Sequence, residues 1–213
     1  MKILKKCLNS KGRHVYVYLF GIKIASYTPK QIIVGKDNAI DIPDNIDFKC
    51  RIFGDNNKVK IAPTKFDQKV LVDIGFKQLP CNNCKISIGA DTYIGNIQCE
   101  TPILENGMSI EIGNDCLFSI GIKLYPSDVH TVLNKNDKVT NIGKCIKIGN
   151  HVWIGENVSI LKNTEIADGC IIGVGSVVSG KFLETNCVIA GNPARVVKHN
   201  IKWDRRYPKQ LLI

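Results

Sequence analysis

Histidine is the side chain whose ordinary pKa lies nearest neutrality, and one histidine of this chain lies among residues suited to proton transfer. His130 ends the run Ser127-Asp128-Val129-His130 inside the long polar segment Tyr125–Lys144. A neutral imidazole can take a proton from a hydroxyl or an amine as that group attacks a carbonyl carbon. The alternative is an exposed histidine without a role. The four histidines are not spaced as three ligands of one zinc ion; they are His14, His130, His151 and His199.

The nine cysteines indicate reduced thiols. Their number is odd and they are scattered, which is typical of a cytoplasmic protein, and the first residues lack the cleavage site of a secretory signal. Only Cys81 and Cys84 have the C-x-x-C spacing, and no second pair completes a zinc site. A turn is the simpler interpretation of this motif, and we expect no metal.

An aliphatic residue recurs at every sixth position near the C-terminus. The strands that this repeat predicts must position the residues of any functional loop. The members are Ile148, Ile154, Ile160, Ile166, Ile172 and Val178, several of them followed by Gly. A period of six fits neither a helix nor simple strand alternation, but it fits a parallel β-helix that turns a corner every six residues. The steps from Ile94 to Ile112 and from Ile112 to Ile148 are 18 and 36 residues, which predicts one coil and two coils.

This periodicity predicts an all-β solenoid with three parts. We expect residues 1–32 to form a basic capping segment, residues 33–198 to form the β-helix with a long polar loop, the candidate catalytic loop, at 125–145, and residues 199–213 to form a basic tail with a short helix. Pro193 ends the repeat because proline cannot continue the strand pairing. The apolar run Val15–Ala25 is too short to span a bilayer.

The formal net charge of +10 is concentrated at the two ends. Basic terminal segments favour anionic partners, such as a phosphorylated cofactor, an acidic glycan or a membrane surface reached by the N-terminus. Nucleic acid is disfavoured because no aromatic stacking platform or recognition motif accompanies the basic residues.

The segment Ile148–Lys198 resembles the C-terminal half of the hexapeptide-repeat, left-handed β-helix acyltransferases. The resemblance lies in the repeat itself and in the closure Gly191-Asn-Pro-Ala-Arg-Val-Val-Lys198. The Ser-Asp-x-His run followed by the Trp153-Ile-Gly155 coil is most similar to the O-acetyltransferases of sialic acids and capsular polysaccharides. The resemblance implies a homotrimer, acetyl-CoA as donor, and active sites between neighbouring subunits.

The same resemblance implies roles for particular residues. His130 is the general base, Asp128 either orients it or contacts the sugar, and Ser127 contacts the acceptor. Residues expected to bind the acetyl-CoA donor are Trp153, Gly155, Val174, Ser176, Lys181, Arg195 and Lys198. Trp153 is equally consistent with a subunit interface. Lys181 is shifted by one position from the usual family pattern.

The function expected from the sequence is therefore a cytoplasmic O-acetyltransferase, active at the inner face of the membrane or in solution, that modifies an acidic bacterial surface polysaccharide or its precursor. Two main alternatives stay open, besides acetylation of an antibiotic as a variant of the same chemistry. One is an N-acetyltransferase of a nucleotide-linked amino sugar, although residues 1–35 lack a Gly-rich nucleotide fingerprint. The other is a non-catalytic solenoid that binds glycans or serves a structural role, for which His130 would be dispensable.

Overall fold

The structure, a computed structural model, describes residues 4–8, 15–19, 22–27, 31–44, 46–66, 70–95, 97–99, 103 and 105–212. His14 lies outside the described residues. The first three strands, β1 (Leu4–Leu8), β2 (Val15–Leu19) and β3 (Ile22–Tyr27), form an antiparallel sheet of their own.

The rest of the chain winds through short parallel strands. The first are β4 (Gln31–Val34), β5 (Ala39–Asp41), β6 (Phe48–Phe53), β7 (Lys58–Ile61), β8 (Lys65–Phe66), β9 (Val70–Ile74), β10 (Lys85–Ile88), β11 (Tyr93–Ile94), β12 (Ile97–Cys99), β13 (Ser109–Ile112) and β14 (Leu117–Phe118). They continue as β15 (Ile122–Tyr125), β16 (Cys145–Ile148), β17 (Trp153–Ile154), β18 (Ser159–Leu161), β19 (Glu165–Ile166), β20 (Ile171–Ile172), β21 (Val177–Val178), β22 (Lys181–Phe182), β23 (Val188–Gly191) and β24 (Ala194–Lys198), followed by a 3-10 turn at Pro208–Gln210.

These strands form three seven-stranded sheets, which are the faces of a triangular prism. The first face contains β4, β6, β9, β12, β15, β18 and β21, and the second contains β5, β7, β10, β13, β16, β19 and β22. The third face contains β8, β11, β14, β17, β20 and β23, with β24 antiparallel at its end. We call the corner between the first and second faces the first edge, that between the second and third the second edge, and that between the third and first the third edge. The predicted parallel β-helix is confirmed.

The six-residue period places one side chain inside the prism on each face in turn. Ile148, Ile154 and Ile160 lie on the second, third and first faces, and each is at most 2% exposed. Ile166, Ile172 and Val178 repeat that order one coil later and are as deeply buried. Removal of this aliphatic column from water stabilises the stack of coils.

The predicted count of coils is wrong between Ile94 and Ile148. Ile112 pairs directly with Ile148, so the 36 residues between them make one coil and not two. Ile94 pairs with Phe118 on the third face, whereas Ile112 lies on the second face, so the step of 18 residues is not a coil. The additional residues leave the prism at the first edge and return in register.

Polar side chains tie successive coils together at the second edge. The Asn114 side-chain oxygen Oδ1 accepts a hydrogen bond from the Ala90 N–H at 2.9 Å. Asn150 does the same for the Asn114 N–H, and Asp168 for the Asn150 N–H. Each side chain therefore satisfies a backbone donor that the corner leaves without a strand partner.

The C-terminal tail returns along this second edge. The Trp203 ring stacks on the His151 ring at a centroid distance of 4.1 Å, and its indole N–H donates to the His151 carbonyl oxygen. The Arg205 guanidinium donates to Asp115 at 2.8 Å. His151 is thus a corner residue held by the tail. The predicted helix of the tail is reduced to the 3-10 turn at Pro208–Gln210, and residues 199–207 form irregular chain in which Trp203 is the buried residue.

Replacement of Gly149 by Ala is expected to destabilise the β-helix. A Cβ at this position would lie 2.2 Å from Asp168 Oδ1 and 2.8 Å from the Asp168 backbone nitrogen. Overpacking of this kind costs about 1–3 kcal/mol of unfolding free energy, which lowers the melting temperature of the protein. Lys147→Ala, an exposed change two residues away, serves as the control and should leave the melting temperature within a degree or two. Equal melting temperatures for the two variants would contradict this packing.

Candidate functional site

Three loops of successive coils stack on one another at the first edge. Their described residues are 75–84, 103 with 105–108, and 126–144, and each loop replaces a tight corner of the prism. The Gly107 N–H donates to the Asn82 carbonyl, and the Ser127 hydroxyl donates to Glu105 Oε1 at 2.9 Å, so each loop is bonded to the next. Among the described residues they border an open cavity of about 190 Å³ whose lining includes His130.

His130 follows a strained turn of the backbone. Its N–H donates to the Asp128 carbonyl at 2.7 Å, which closes a three-residue γ-turn around Val129. Val129 has a φ of 66°, a conformation that β-branched residues rarely adopt. Such strain persists only where surrounding contacts impose it, and it concentrates at functional sites. The turn places the exposed His130 side chain at the cavity wall.

Glu105 and Ser127 support this turn from one side. Ser127 is buried, and its Oγ accepts a hydrogen bond from the Val129 N–H at 3.1 Å while its hydroxyl donates to Glu105. The Ser127 hydroxyl, predicted to contact the acceptor, is therefore engaged in holding the loop. Sequence reasoning did not identify Glu105, because it lies in a loop that comes near His130 only through the stacking of coils.

Asn141 and Lys162 support the turn from the other side. The Asn141 amide Nδ2 donates to Asp128 Oδ2 and to the His130 carbonyl, both at 2.8 Å, and its Oδ1 accepts from the Val132 N–H at 2.9 Å. The Lys162 ammonium forms an ion pair with Asp128 Oδ2. One amide thus joins three positions of the loop. The sequence contains no motif that would have identified either residue.

Asp128 does not contact the His130 ring. Its carboxylate is bonded to Lys162 and Asn141, and these two hydrogen bonds hold the pKa of Asp128 below its ordinary value. Among the described residues none hydrogen-bonds to the imidazole of His130. Asp128 therefore ties the loop to Lys162 of the next coil and to Asn141, and it leaves the ring free to meet a substrate.

The residues predicted to bind the donor lie elsewhere on the same chain. Gly155, Val174 and Ser176 are at the third edge, away from the His130 loop at the first edge. The Gly155 N–H donates to the Ile172 carbonyl, and the Ser176 hydroxyl donates to the Gly173 carbonyl and accepts from the Gly191 N–H. Val174 is 73% exposed and is the member of this group that presents an open surface.

The remaining residues predicted to bind the donor lie on the faces of the C-terminal coils. Trp153 faces outward from the third face, 39% exposed, with its ring 6.1 Å from that of Trp203. Lys181 is on the second face beside Glu165, at 3.7 Å. Arg195 and Lys198 lie on the exposed terminal strand β24, where the Arg195 guanidinium donates to the Ala194 carbonyl. One copy of the chain therefore does not bring these residues to the His130 cavity.

The thiols form no metal site in the described part of the chain, where no group of three or more metal-ligating side chains converges. Cys81 and Cys84 are buried at the end of the first loop, and burial raises the pKa of the Cys81 thiol to about 11. Such thiols are poor nucleophiles at neutral pH.

In the same described ranges, no helix is long and apolar enough to cross a bilayer.

Replacement of Lys162 by Met is expected to raise the pKa of Asp128. The Lys162 hydrogen bond is the largest cause that lowers this pKa, so its loss moves the carboxyl towards its ordinary value of 3.8. Because the pKa is lowered in the folded state, the pair stabilises the loop above pH 3.8 and this contribution is lost as the pH falls through the lowered value. Carboxyl carbon NMR titration measures the shift, with Lys144→Met as the control on the same edge. An unchanged Asp128 titration in the Lys162 variant would contradict the ion pair.

Comparison with known proteins identifies the repeat and the fold. The family model of the bacterial transferase hexapeptide, six repeats, matches residues 145–180. An uncharacterised 24.8 kDa protein in the cps region of Klebsiella pneumoniae is 46% identical over 113 residues, which are 53% of this chain and 48% of that protein. The match thus spans about half the length of this curated relative.

Two solved structures are similar over most of the chain. The polySia-specific acetyltransferase NeuO is 28% identical, with a TM-score of 0.64 over 84% of this chain and 89% of its own. The polysialic acid O-acetyltransferase OatWY is also 28% identical, with a TM-score of 0.56 over 83% and 92% of the two chains. The resemblance predicted from the sequence is therefore confirmed: the chain is a hexapeptide-repeat, left-handed parallel β-helix, similar to the polysialic acid O-acetyltransferases.

Proposed function

We propose that this protein is an acetyl-CoA-dependent O-acetyltransferase that modifies a hydroxyl of a carbohydrate, with His130 as the general base. The observation that carries this proposal is the strained turn that holds a histidine at a cavity on the first edge. The similarity to NeuO and OatWY, both named as acetyltransferases, supports the reaction type.

The proposed reaction is acetyl transfer from a thioester to an alcohol. The neutral His130 imidazole takes the proton of the acceptor hydroxyl while the hydroxyl oxygen attacks the thioester carbonyl carbon. The tetrahedral intermediate then collapses as the C–S bond breaks. The imidazolium returns the proton to the departing thiolate, so the products are the acetyl ester and coenzyme A. A free imidazole without a carboxylate partner suits this role, since it can turn towards either oxygen or sulfur.

The donor residues and the base belong, in this proposal, to neighbouring copies of the chain. Val174 and its third-edge neighbours are separated from His130 by the prism of a single copy. In a homotrimer, the first edge of one copy meets the third edge of the next, and a rotation that closes after three copies makes three equal sites. Trp153 and the cations Lys181, Arg195 and Lys198 then contact the donor, with the cations near its phosphates.

The acceptor is proposed to be a sugar of a bacterial surface polysaccharide or of its precursor, acetylated in the cytoplasm. The words polysialic acid in the names of NeuO and OatWY support a polysaccharide acceptor. The expectation of an acidic acceptor is based on the basic terminal segments and on the resemblance, and the described lining of the His130 cavity contains none of the terminal residues. The charge of the residues that line the cavity acts directly on a bound acceptor.

His130→Ala is expected to lower acceptor-dependent release of coenzyme A by about 10²–10⁴-fold, the usual contribution of a general base. A thiol-trapping dye measures the release, with sugar glycosides as acceptors and acetyl-CoA as donor. Binding of coenzyme A, followed by calorimetry, should persist in this variant. The control is His199→Ala, since His199 is an exposed histidine paired with Glu184 outside the cavity. Undiminished turnover by His130→Ala would remove this residue from the chemistry.

A further inference from the structure

The described residues that line the cavity at His130 include one carboxylate and no cation. Glu105 supplies the one carboxylate of its described lining, which contains no lysine or arginine. Lys162 lies under the same loop, but its ammonium is paired with Asp128. The rest of the Glu105 loop adds no cation either, because the segment 100–108 contains neither lysine nor arginine in the sequence.

An anionic sugar would meet no compensating charge among the described lining residues, since Lys77 and Lys138 belong to the surrounding loops but not to the lining. Its carboxylate would approach that of Glu105, and like charges repel strongly where water is partly excluded. His130 does not compensate, because the base must be neutral before it takes the hydroxyl proton. The cavity therefore selects against a negative charge on the sugar that enters it.

Aliphatic side chains form much of the remaining wall. Leu79, Val129, Val139 and Ile142 line the cavity, and each keeps between 47% and 59% of its surface exposed. Apolar groups left exposed around a concave site gain free energy when a ligand covers them. The C–H face of a pyranose ring, or a methyl group on it, is such a partner. The cavity volume of about 190 Å³ is the space of roughly six water molecules at about 30 Å³ each, which suits one sugar ring.

Glu105 also has an unused hydrogen-bonding atom. Its Oε1 accepts from Ser127, but its Oε2 is buried and has no hydrogen-bond partner among the described residues. A buried acceptor without a donor is unfavourable, and native sites rarely leave one without a purpose. Because Oε2 is buried on the side of Gly143, a bound sugar meets the negative charge of Glu105 rather than this atom.

We infer that the sugar entering the cavity is neutral and has an apolar face or methyl group, as a 6-deoxyhexose or an N-acetylhexosamine does. Glu105 selects this sugar against anionic sugars such as sialic acid. The inference is based on the proposed function and names its substrate class, and it replaces the acidic acceptor expected from the terminal charges. It allows negative charge on other residues of a polymer, which remain outside the cavity.

The test compares acceptors in the coenzyme A release assay. The acceptors are the methyl glycosides of fucose, rhamnose, N-acetylglucosamine and N-acetylgalactosamine, together with the methyl glycoside of sialic acid and oligosialic acid. We expect at least one neutral glycoside to exceed both sialosides by 100-fold or more in kcat/KM. Glu105→Gln keeps an oxygen for the Ser127 bond but removes the charge, so the ratio of neutral to anionic kcat/KM should fall at least tenfold. Glu111→Gln removes an exposed carboxylate outside the cavity, paired with Lys85, and should leave the ratio unchanged.

The outcomes separate this inference from the proposed function. Faster transfer to a sialoside than to every neutral glycoside, or acetyl-CoA binding without transfer to any neutral glycoside, overturns the inference while the reaction type stands. A Glu105→Gln ratio equal to that of wild type overturns the role of Glu105, provided the melting temperature shows that the variant is folded. Absence of both acetyl-CoA binding and transfer overturns the proposed function itself.

Discussion

The register between successive coils is the constraint on which the rest of this structure depends. After the first strand on each face, every parallel strand of the β-helix bonds to the strand one coil before it, and its inward side chain lies on that of its neighbour. A shift by one residue would turn the aliphatic column outward, so the pairing is strongly fixed. Because register is restored after each coil, residues can be added at a corner without disturbing the core. The pairing of Ile112 with Ile148 across the longest loop shows this tolerance.

The added residues are concentrated at the first edge, where they build the candidate site. Loops of three successive coils lie on top of one another, and hydrogen bonds from Ser127 and Asn141 connect them to the His130 turn. Rigid strands thus support a loop that contains the candidate general base. This is a common arrangement for sites on repetitive scaffolds. Contacts on both sides of the turn offset the unfavourable backbone conformation of Val129. Without the Ser127 and Glu105 contacts, or without those of Asn141 and Lys162, His130 would stay at the same corner but its side chain would have no fixed orientation.

The sequence predicted the core well and the site in part. The six-residue period follows directly from the shape of the prism, so the period alone assigns Ile148 and its successors to the interior. The coil count failed because the insertion before Ile148 is as long as a regular coil of 18 residues, and length alone does not distinguish the two. Glu105, Leu79 and Lys162 were missed since their proximity to His130 depends on which coils stack, and no local motif records that. The charge of the whole chain does not report the charge of the cavity either, because the described lining contains none of the basic residues of the termini.

The central claim is that His130 faces a donor whose remaining contacts come from the third edge of another copy. A crystal structure of the protein with coenzyme A bound tests it most directly. The account predicts the thiol sulfur within about 3–4 Å of a His130 ring nitrogen, with the pantetheine chain along Val174 of a neighbouring copy. Coenzyme A bound at an edge remote from every His130, or wholly within one copy, would contradict the account.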